Sequence, residues 1–269
     1  MNSRTAIITG GSRGLGRNTA MSLARRGVDV IVTYHARKQD AETVIREIEA
    51  MGRKAAAFQL DTGDARAFDG FASAVRKTLQ TWGREKFDFL VNNAGYSLHV
   101  PFADVTEAQF DEMVNVGFKG VYFLTQKLLP LMNDGGRIVN LSSGLARVAM
   151  GNSSAYGAVK GAIEVLTRYL AKELAPRKIT ANVVAPGPIQ TDFSRGMVRD
   201  NAAVNKTISE MTALGRPGVF GRYRSHDRGP AVRREPLGER ATDRGLRRVR
   251  ALTARQPEPH QSTPTHMQV

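Results

Sequence analysis

Six short apolar runs recur between Ala6 and Pro186: AIIT, VDVIVTY, AAAFQL, FDFLVNN, GRIVNLSS and ITANVVAP. Each is separated from the next by a segment long enough for a helix. A strand that is apolar on both faces must be covered on both faces, and alternation with helices achieves that for a parallel sheet. The pattern predicts an α/β chain, a doubly wound parallel sheet in three α/β/α layers. Ala41 to Met51 places Val44, Ile45 and Ile48 at helical spacing. Ala155 to Leu174 does the same with Ile163, Leu166, Leu170 and Leu174, so both segments read as helices packed on the sheet. From Gly187 to Leu214 the pattern is helical but irregular, and after Arg216 it stops; no internal repeat is visible.

The length of 269 residues admits one large α/β domain or two small ones. The net charge of +14 is unevenly spread: residues 1–219 carry 28 basic and 20 acidic side chains, residues 220–269 carry 11 and 5. Absence of cysteine rules out a disulfide framework and thiolate metal sites, and the five histidines lack ligand spacing, so no metal is expected. No apolar stretch approaches the roughly 20 residues of a membrane span, and a soluble cytoplasmic protein is expected.

The first run leads into TGGSRGLG, Thr9 to Gly16, and a helical pattern begins near Arg17. Glycines in such a turn let the backbone approach a pyrophosphate, whose charge then meets the free N–H groups of a helix N-terminus. Alone, the glycines also fit an ordinary turn; the strand before and helix after favour a dinucleotide. At the end of the second strand an acidic residue would bind a free ribose 2′-hydroxyl, and a basic one a 2′-phosphate. Tyr34 stands there, followed by Arg37 and Lys38, with Arg13 in the glycine loop. This basic setting favours NADPH over NADH, a solvated basic loop being the plainer alternative.

Tyr156 and Lys160 lie four apart on the predicted helix and so share a face. A phenol with a pKa of about 10 exchanges protons poorly at neutral pH unless a cation stabilises its anion. Lys160 supplies such a cation. Ser143 ends the fifth run, so its hydroxyl is placed at the carboxyl edge of the sheet, where open α/β folds bind ligands. A Tyr–Lys pair by itself also fits a solvated helix face; its order after a dinucleotide loop and a serine is the specific signal.

With these motifs the chain resembles the classical short-chain dehydrogenase/reductase family, over about residues 4–217. The match is carried by TGGSRGLG, Asp61 in LDTGD, NNAG (Asn92 to Gly95), Asn115 in VNVG, the serines before YGAVK, and PGPIQT (Pro186 to Thr191). The resemblance implies a Rossmann fold and hydride transfer between a nicotinamide cofactor and a ketone or alcohol. It implies that Tyr156 is the acid or base, that Ser143 binds the reacting oxygen, and that Lys160 lowers the tyrosine pKa and holds the ribose. Asn115 would anchor a relay water. Gly10, Ser12, Arg13, Gly14, Leu15 and Gly16 would hold the pyrophosphate; Tyr34, Arg37, Asp61 and Thr62 the adenosine end. Asn92, Ala94 and Gly95 would line the ribose, and Pro186, Gly187, Ile189 and Thr191 the nicotinamide. Asn92 could instead serve the sheet. Within the family the body is most similar to 3-oxoacyl carrier-protein reductases, yet Asn133 and Asp134 stand where those reductases commonly carry basic docking residues. The substrate pocket is expected from Ser97 to Val100, Val148 to Met150 and Phe193 to Val198.

Family members continue after GRPG with a helix and a last strand that helps to build a homotetramer. Residues 220–269 instead form an Arg/Pro-rich tail, expected to lack order and to leave the sheet without that strand. Arginine codons read one base later encode Val, Ala, Asp, Glu or Gly. Phe220 to Arg224 can then read Ser-Asp-Asp-Ile-Gly, Arg247 and Arg248 Gly-Gly, and Leu252 with Thr253 a stop. A one-base shift near Val219 is the expectation. Two other functions stay open at this point: a cofactor-binding protein with impaired catalysis, and a non-specific nucleic-acid binder using the tail as a basic arm, which has only Tyr223 as an interleaved aromatic after Phe220.

Overall fold

The computed structural model describes residues 3–219. Six strands form one parallel sheet: β1 (Thr5–Ile8), β2 (Asp29–Tyr34), β3 (Ala55–Gln59), β4 (Phe87–Asn92), β5 (Met132–Leu141) and β6 (Thr180–Val184), in the order β3-β2-β1-β4-β5-β6. The order reverses direction between β1 and β4, which opens a crevice at their carboxyl ends. The helices are α1 (Gly14–Ala24), α2 (Lys38–Glu49), α3 (Phe68–Thr81), α4 (Glu107–Val114), α5 (Gly120–Leu128), α6 (Ser154–Glu173), α7 (Met197–Asp200) and α8 (Ala202–Met211). The sheet is covered on both faces, as the apolar runs require. Ile7, Ile31, Leu90 and Ile138 pack with side chains of α3 and α5 on one face, while Ile8, Val30, Val32 and Val91 pack with α1 and α2 on the other.

Two boundary differences bear on the site. Helix α1 begins at Gly14, three residues before Arg17, because the loop glycines themselves enter the first turn. Strand β5 begins at Met132, with a register shift against β4 between Phe87 and Phe89, and it ends at Leu141, so Ser143 lies just beyond the strand. The irregular region after Gly187 holds the turn Phe193–Gly196 and the short helices α7 and α8.

Strand β6 is the sheet's edge among the described residues. Ala181 is buried in the α3/α5 core, while Asn182 and Val184, on the opposite face, are exposed. The covering helical layer on that side stops short of β6. The expected tail and frame shift, Phe220 to Val269, lie outside the described residues.

A polar thread crosses the sheet beneath the crevice. Asn92 donates to Thr125 Oγ1 at 3.0 Å and to Asn140 Oδ1 at 2.8 Å, and Asn140 donates to Thr167 Oγ1 at 2.9 Å. It ties α5 and α6 to β4 and β5, so the helix carrying Tyr156 and Lys160 sits at a fixed height over the strand ends.

Candidate active site

A cavity of about 1480 Å³ opens along the carboxyl edge of the sheet, lined by loops that follow all six strands. The β1 loop supplies Gly10, Ser12, Arg13, Gly14 and Leu15 to its wall. Gly10 has φ +63° and Gly14 φ +58°, conformations that glycine reaches without a Cβ clash. Gly16 does not line the cavity. A Cβ there would stand 2.3 Å from the Gly10 carbonyl oxygen, so this glycine lets α1 pack against its own loop. Helix α1 starts with no side-chain cap and no acidic residue in its first turn, leaving its N–H groups directed at the crevice for an anion.

At the end of β2, Tyr34 and Arg37 line the wall, followed around the sheet by Asp61 and Thr62. Arg37 is 3.4 Å from Asp40 and Arg13 is 3.8 Å from Asp192, so both guanidinium groups already face a carboxylate. His35 Nε2 is 3.9 Å from Asp61.

Asn92 serves the sheet and does not line the cavity; its neighbour Asn93 does. Asn92 is 3% exposed and spends its amide on the polar thread, away from the cavity. Asn93 lines the cavity and clasps the glycine loop, donating to the carbonyls of Thr9 at 2.8 Å and Gly10 at 3.0 Å. Thr9 Oγ1 in turn accepts from the N–H groups of Asn93 and Ala94, both at 2.9 Å. Ala94 and Gly95 follow on the cavity wall. The sequence signal for Asn93 was its place in NNAG; which of two adjacent asparagines faces the crevice depends on the alternation of the strand.

Asn115 opens a π-helical turn, Asn115–Lys119, between α4 and α5, and lines the cavity. The turn lies against α6 because Gly117 has no side chain: a Cβ there would meet Val159 Cγ1 at 2.6 Å. Ser143 has extended backbone and caps the short turn Gly144–Ala146, its Oγ accepting from the Leu145 N–H at 3.2 Å. Pro186, Gly187, Ile189 and Thr191 form the far wall. The turn after them is strained, with Ser194 and Arg195 both at positive φ, and it reaches across the mouth, where Ser194 Oγ meets Ser97 Oγ at 2.6 Å.

Tyr156 is 5% exposed, with its ring centroid 6.4 Å from that of Phe193. Burial pushes its phenol pKa up, and the neighbouring Ser143 hydroxyl pulls it partly back. Lys160 Nζ lies 5.7 Å from the centroid of the Tyr156 ring and donates to the Leu141 carbonyl at 2.8 Å. Burial brings its pKa down to about 8. Desolvation is the larger influence on the phenol, and the Lys160 ammonium is engaged by the main chain.

Of the expected pocket, Ser97, His99, Val148, Met150, Phe193, Ser194, Met197 and Val198 line the cavity, whereas Leu98 packs inward against the Met113, Tyr156 and Val159 cluster. Helix α8 adds Ala203, Val204, Thr207, Ile208 and Met211, which the irregular pattern of that region did not single out. Tyr96 was also missed. Its Oη is buried without a hydrogen-bond partner among the described residues, and burial together with the Glu112 carboxylate pushes its pKa up to about 12. Among the described residues no group of acidic, histidine or cysteine side chains could hold a metal ion, and no helix is long and apolar enough to cross a membrane.

This sheet order, with a glycine loop at the crossover point and a serine, tyrosine and lysine at one edge, defines a class of dinucleotide-dependent oxidoreductase. The short chain dehydrogenase family matches residues 4–202, and the chain belongs to the short-chain dehydrogenase/reductase family. It is an NAD(P)-dependent oxidoreductase of that type. It is 37% identical over 193 residues to 3-oxoacyl-(acyl-carrier-protein) reductase of Staphylococcus aureus, covering 71% of this chain and 76% of that protein. It is 33% identical over 211 residues to versicolorin reductase 1 of Aspergillus parasiticus, covering 78% of this chain and 79% of that protein. Among solved structures, an angucycline C-6 ketoreductase with bound NADP superposes with a TM-score of 0.76 at 35% identity, covering 80% of this chain and 83% of that one.

Proposed function

We propose that this protein reduces a ketone to a secondary alcohol, with NADPH preferred over NADH. The observation that carries the reading is the convergence of Ser143, Tyr156 and Lys160 on the cavity into which the N-terminus of α1 opens. The glycine loop fits a pyrophosphate, since Gly14 meets nothing within 4 Å on its open side and the helix N–H groups lack a side-chain acceptor. Gly10 to Leu15 would hold the pyrophosphate, Asp61 and Thr62 the adenosine end, Ala94 and Gly95 the ribose side, and Pro186 to Thr191 the nicotinamide. Bound there, reduced nicotinamide supplies a hydride to the carbonyl carbon.

The remaining chemistry belongs to the chain. Tyr156, kept protonated by burial, gives its proton to the carbonyl oxygen, and Ser143 donates a hydrogen bond to that oxygen as negative charge gathers on it. Lys160 holds the ribose hydroxyls, and with Asn115 and an ordered water it returns a proton to Tyr156. Arg13 and Arg37, with no carboxylate at the end of β2, support selection of the 2′-phosphate, as does the NADP held by the ketoreductase neighbour. The names of the relatives, two reductases and a ketoreductase, support the direction and the carbonyl substrate. The largely apolar pocket between Val148, Phe193 and α8 fits a medium-sized ketone.

The test follows loss of reduced nicotinamide when the purified full-length chain meets a panel of ketones. Turnover abolished by Tyr156→Phe supports the reading. NADPH binding without turnover on any ketone would favour a cofactor-binding protein instead. The tail from Phe220 is part of the same proposal: if the nucleotides of the gene, read one base later, lack the paired glycines and the stop, the frame-shift idea fails.

A further inference from the structure

One carboxylate spans the turn that presents Ser143. Glu164 lies on α6, four residues beyond Lys160, with its side chain 15% exposed. Its Oε1 accepts from Ser142 Oγ at 3.1 Å, and its Oε2 accepts from Arg147 Nε at 3.3 Å and Nη2 at 3.2 Å. The residue before Ser143 and the residue four after it are therefore held by the same group. Between these anchors the turn is closed by local bonds, the Ser143 cap on Leu145 and the main-chain bonds from Ala146 to Ser143 and from Arg147 to Gly144, while Gly144 N–H reaches the Pro186 carbonyl at 3.3 Å and Leu145 packs on the Tyr156 cluster. Ser142 Oγ also reaches the Lys160 carbonyl at 3.2 Å, which places this brace against the helix that carries Tyr156 and Lys160. Neither Glu164 nor Arg147 lines the cavity.

A serine and a phenol that share one substrate oxygen must be held in a fixed relation, and a misplacement of about 1 Å can cost a hundredfold in rate. The two come from different elements, a loop after β5 and the first turns of α6. We propose that Glu164 is a positioning residue: through Ser142 and Arg147 it sets the register of Ser143 against Tyr156. This rests on the role given above to Ser143 and Tyr156.

The test uses the full chain and a ketone it reduces, with Glu164→Ala and Glu164→Gln made in the wild-type and in the Ser143→Ala background. Glu164→Ala is expected to lower kcat about tenfold while the Kd for NADPH stays within twofold. In the Ser143→Ala background the same change is expected to lower kcat no further, because there is no hydroxyl left to position. Glu164→Gln keeps an acceptor for Ser142 and loses the ion pair, so its loss is smaller, and adding Arg147→Met to it costs nothing more. Equal losses in both backgrounds, an unchanged kcat, or NADPH affinity falling in step would overturn the proposal. Should Glu164→Ala not fold, Glu164→Gln carries the same comparison. Hydrogen exchange at the amides of residues 144–148 gives a reading independent of turnover: it is expected to quicken in the Glu164 variants, and unchanged protection counts against the brace. Tyr156→Phe, run alongside, separates the two layers: full turnover in it sinks both readings, whereas its loss with unaffected Glu164 variants sinks only the positioning role.

Discussion

Lys160 donates from Nζ to the carbonyl of Leu141 at 2.8 Å, so the cation beside Tyr156 is bonded to the last residue of the strand that leads to Ser143. Burial brings its pKa down to about 8. The ketone-reducing kcat/KM is expected to hold below that value and to fall about tenfold per pH unit above it, as Lys160 loses its proton. A profile between pH 6 and pH 10 reads this directly, and Lys160→Met should remove the descending limb along with most of the rate.

The same shift has a consequence for the free protein's stability. Lys160 has a folded pKa lowered to about 8 from 10.5, so between these values the unfolded chain binds more protons than the native one. Stability contributed by this residue therefore rises with pH across that window, by up to about 1.4 kcal/mol per unit, and is lowest below pH 8, where the buried ammonium stays charged. Tyr156 and Tyr96, both raised, act in the opposite sense, but only above pH 10. Urea unfolding at pH 7 and pH 9.5 should show the wild type gaining stability relative to Lys160→Met at the higher pH.

Arg13 lies 3.8 Å from Asp192 across the cavity mouth, and both side chains are nearly half exposed. Such a pair contributes little to stability, so its removal shows mainly in ligand binding. Arg13→Ala and Arg37→Ala are each expected to lower the NADPH over NADH preference by about tenfold, with little change in NADH affinity. Asp192→Asn frees Arg13 and should tighten NADPH about twofold to fivefold, measured by titration of cofactor fluorescence at fixed ionic strength.

Gly16 and Gly14, two residues apart, are required for different reasons. Gly16→Ala drives a methyl to within 2.3 Å of the Gly10 carbonyl oxygen, while Gly14→Ala meets open space but forces an L-residue to φ +58°. The first should cost about 1–3 kcal/mol by overpacking and distort the phosphate loop, the second about 1–2 kcal/mol from backbone strain alone. Thermal melts with and without NADPH distinguish them, Gly16→Ala losing the larger share of the ligand-induced rise in Tm.

Asn92→Ala leaves Asn140 and Thr125 short of a buried partner. It is expected to destabilise the fold by about 1–3 kcal/mol with the NADPH/NADH ratio unchanged. Asn93→Ala, which releases the glycine loop, should instead weaken both cofactors together.

The fold was legible because parallel strands buried on both sides must be apolar throughout, and Ile7, Ile8, Val30, Ile31 and Val32, all with no exposed surface, leave no other reading of those runs. The site residues were legible where spacing alone places them: Tyr156 and Lys160 share a face of one helix, and the β1 glycines share one turn. Legibility failed where neighbours in sequence separate in space. Asn92 and Asn93 differ only in which side of β4 they leave, and Glu164 carries no motif, since its partners Ser142 and Arg147 are contributed by a loop 17 to 22 residues earlier in the chain.

The sequence by itself determined the order of strands and helices, the turn that can receive a pyrophosphate and the chemical groups at the sheet edge, because periodicity, glycine and side-chain type act locally. Only the tertiary structure decided how those groups behave. The low pKa of Lys160 and the raised one of Tyr156 come from burial, the meeting of Arg13 with Asp192 and of Ser97 with Ser194 comes from loops folding over one cavity, and the brace on Ser143 comes from packing α6 against the end of β5. Desolvation and long-range contacts depend on what surrounds a residue, and that surrounding exists only once the chain has closed on itself.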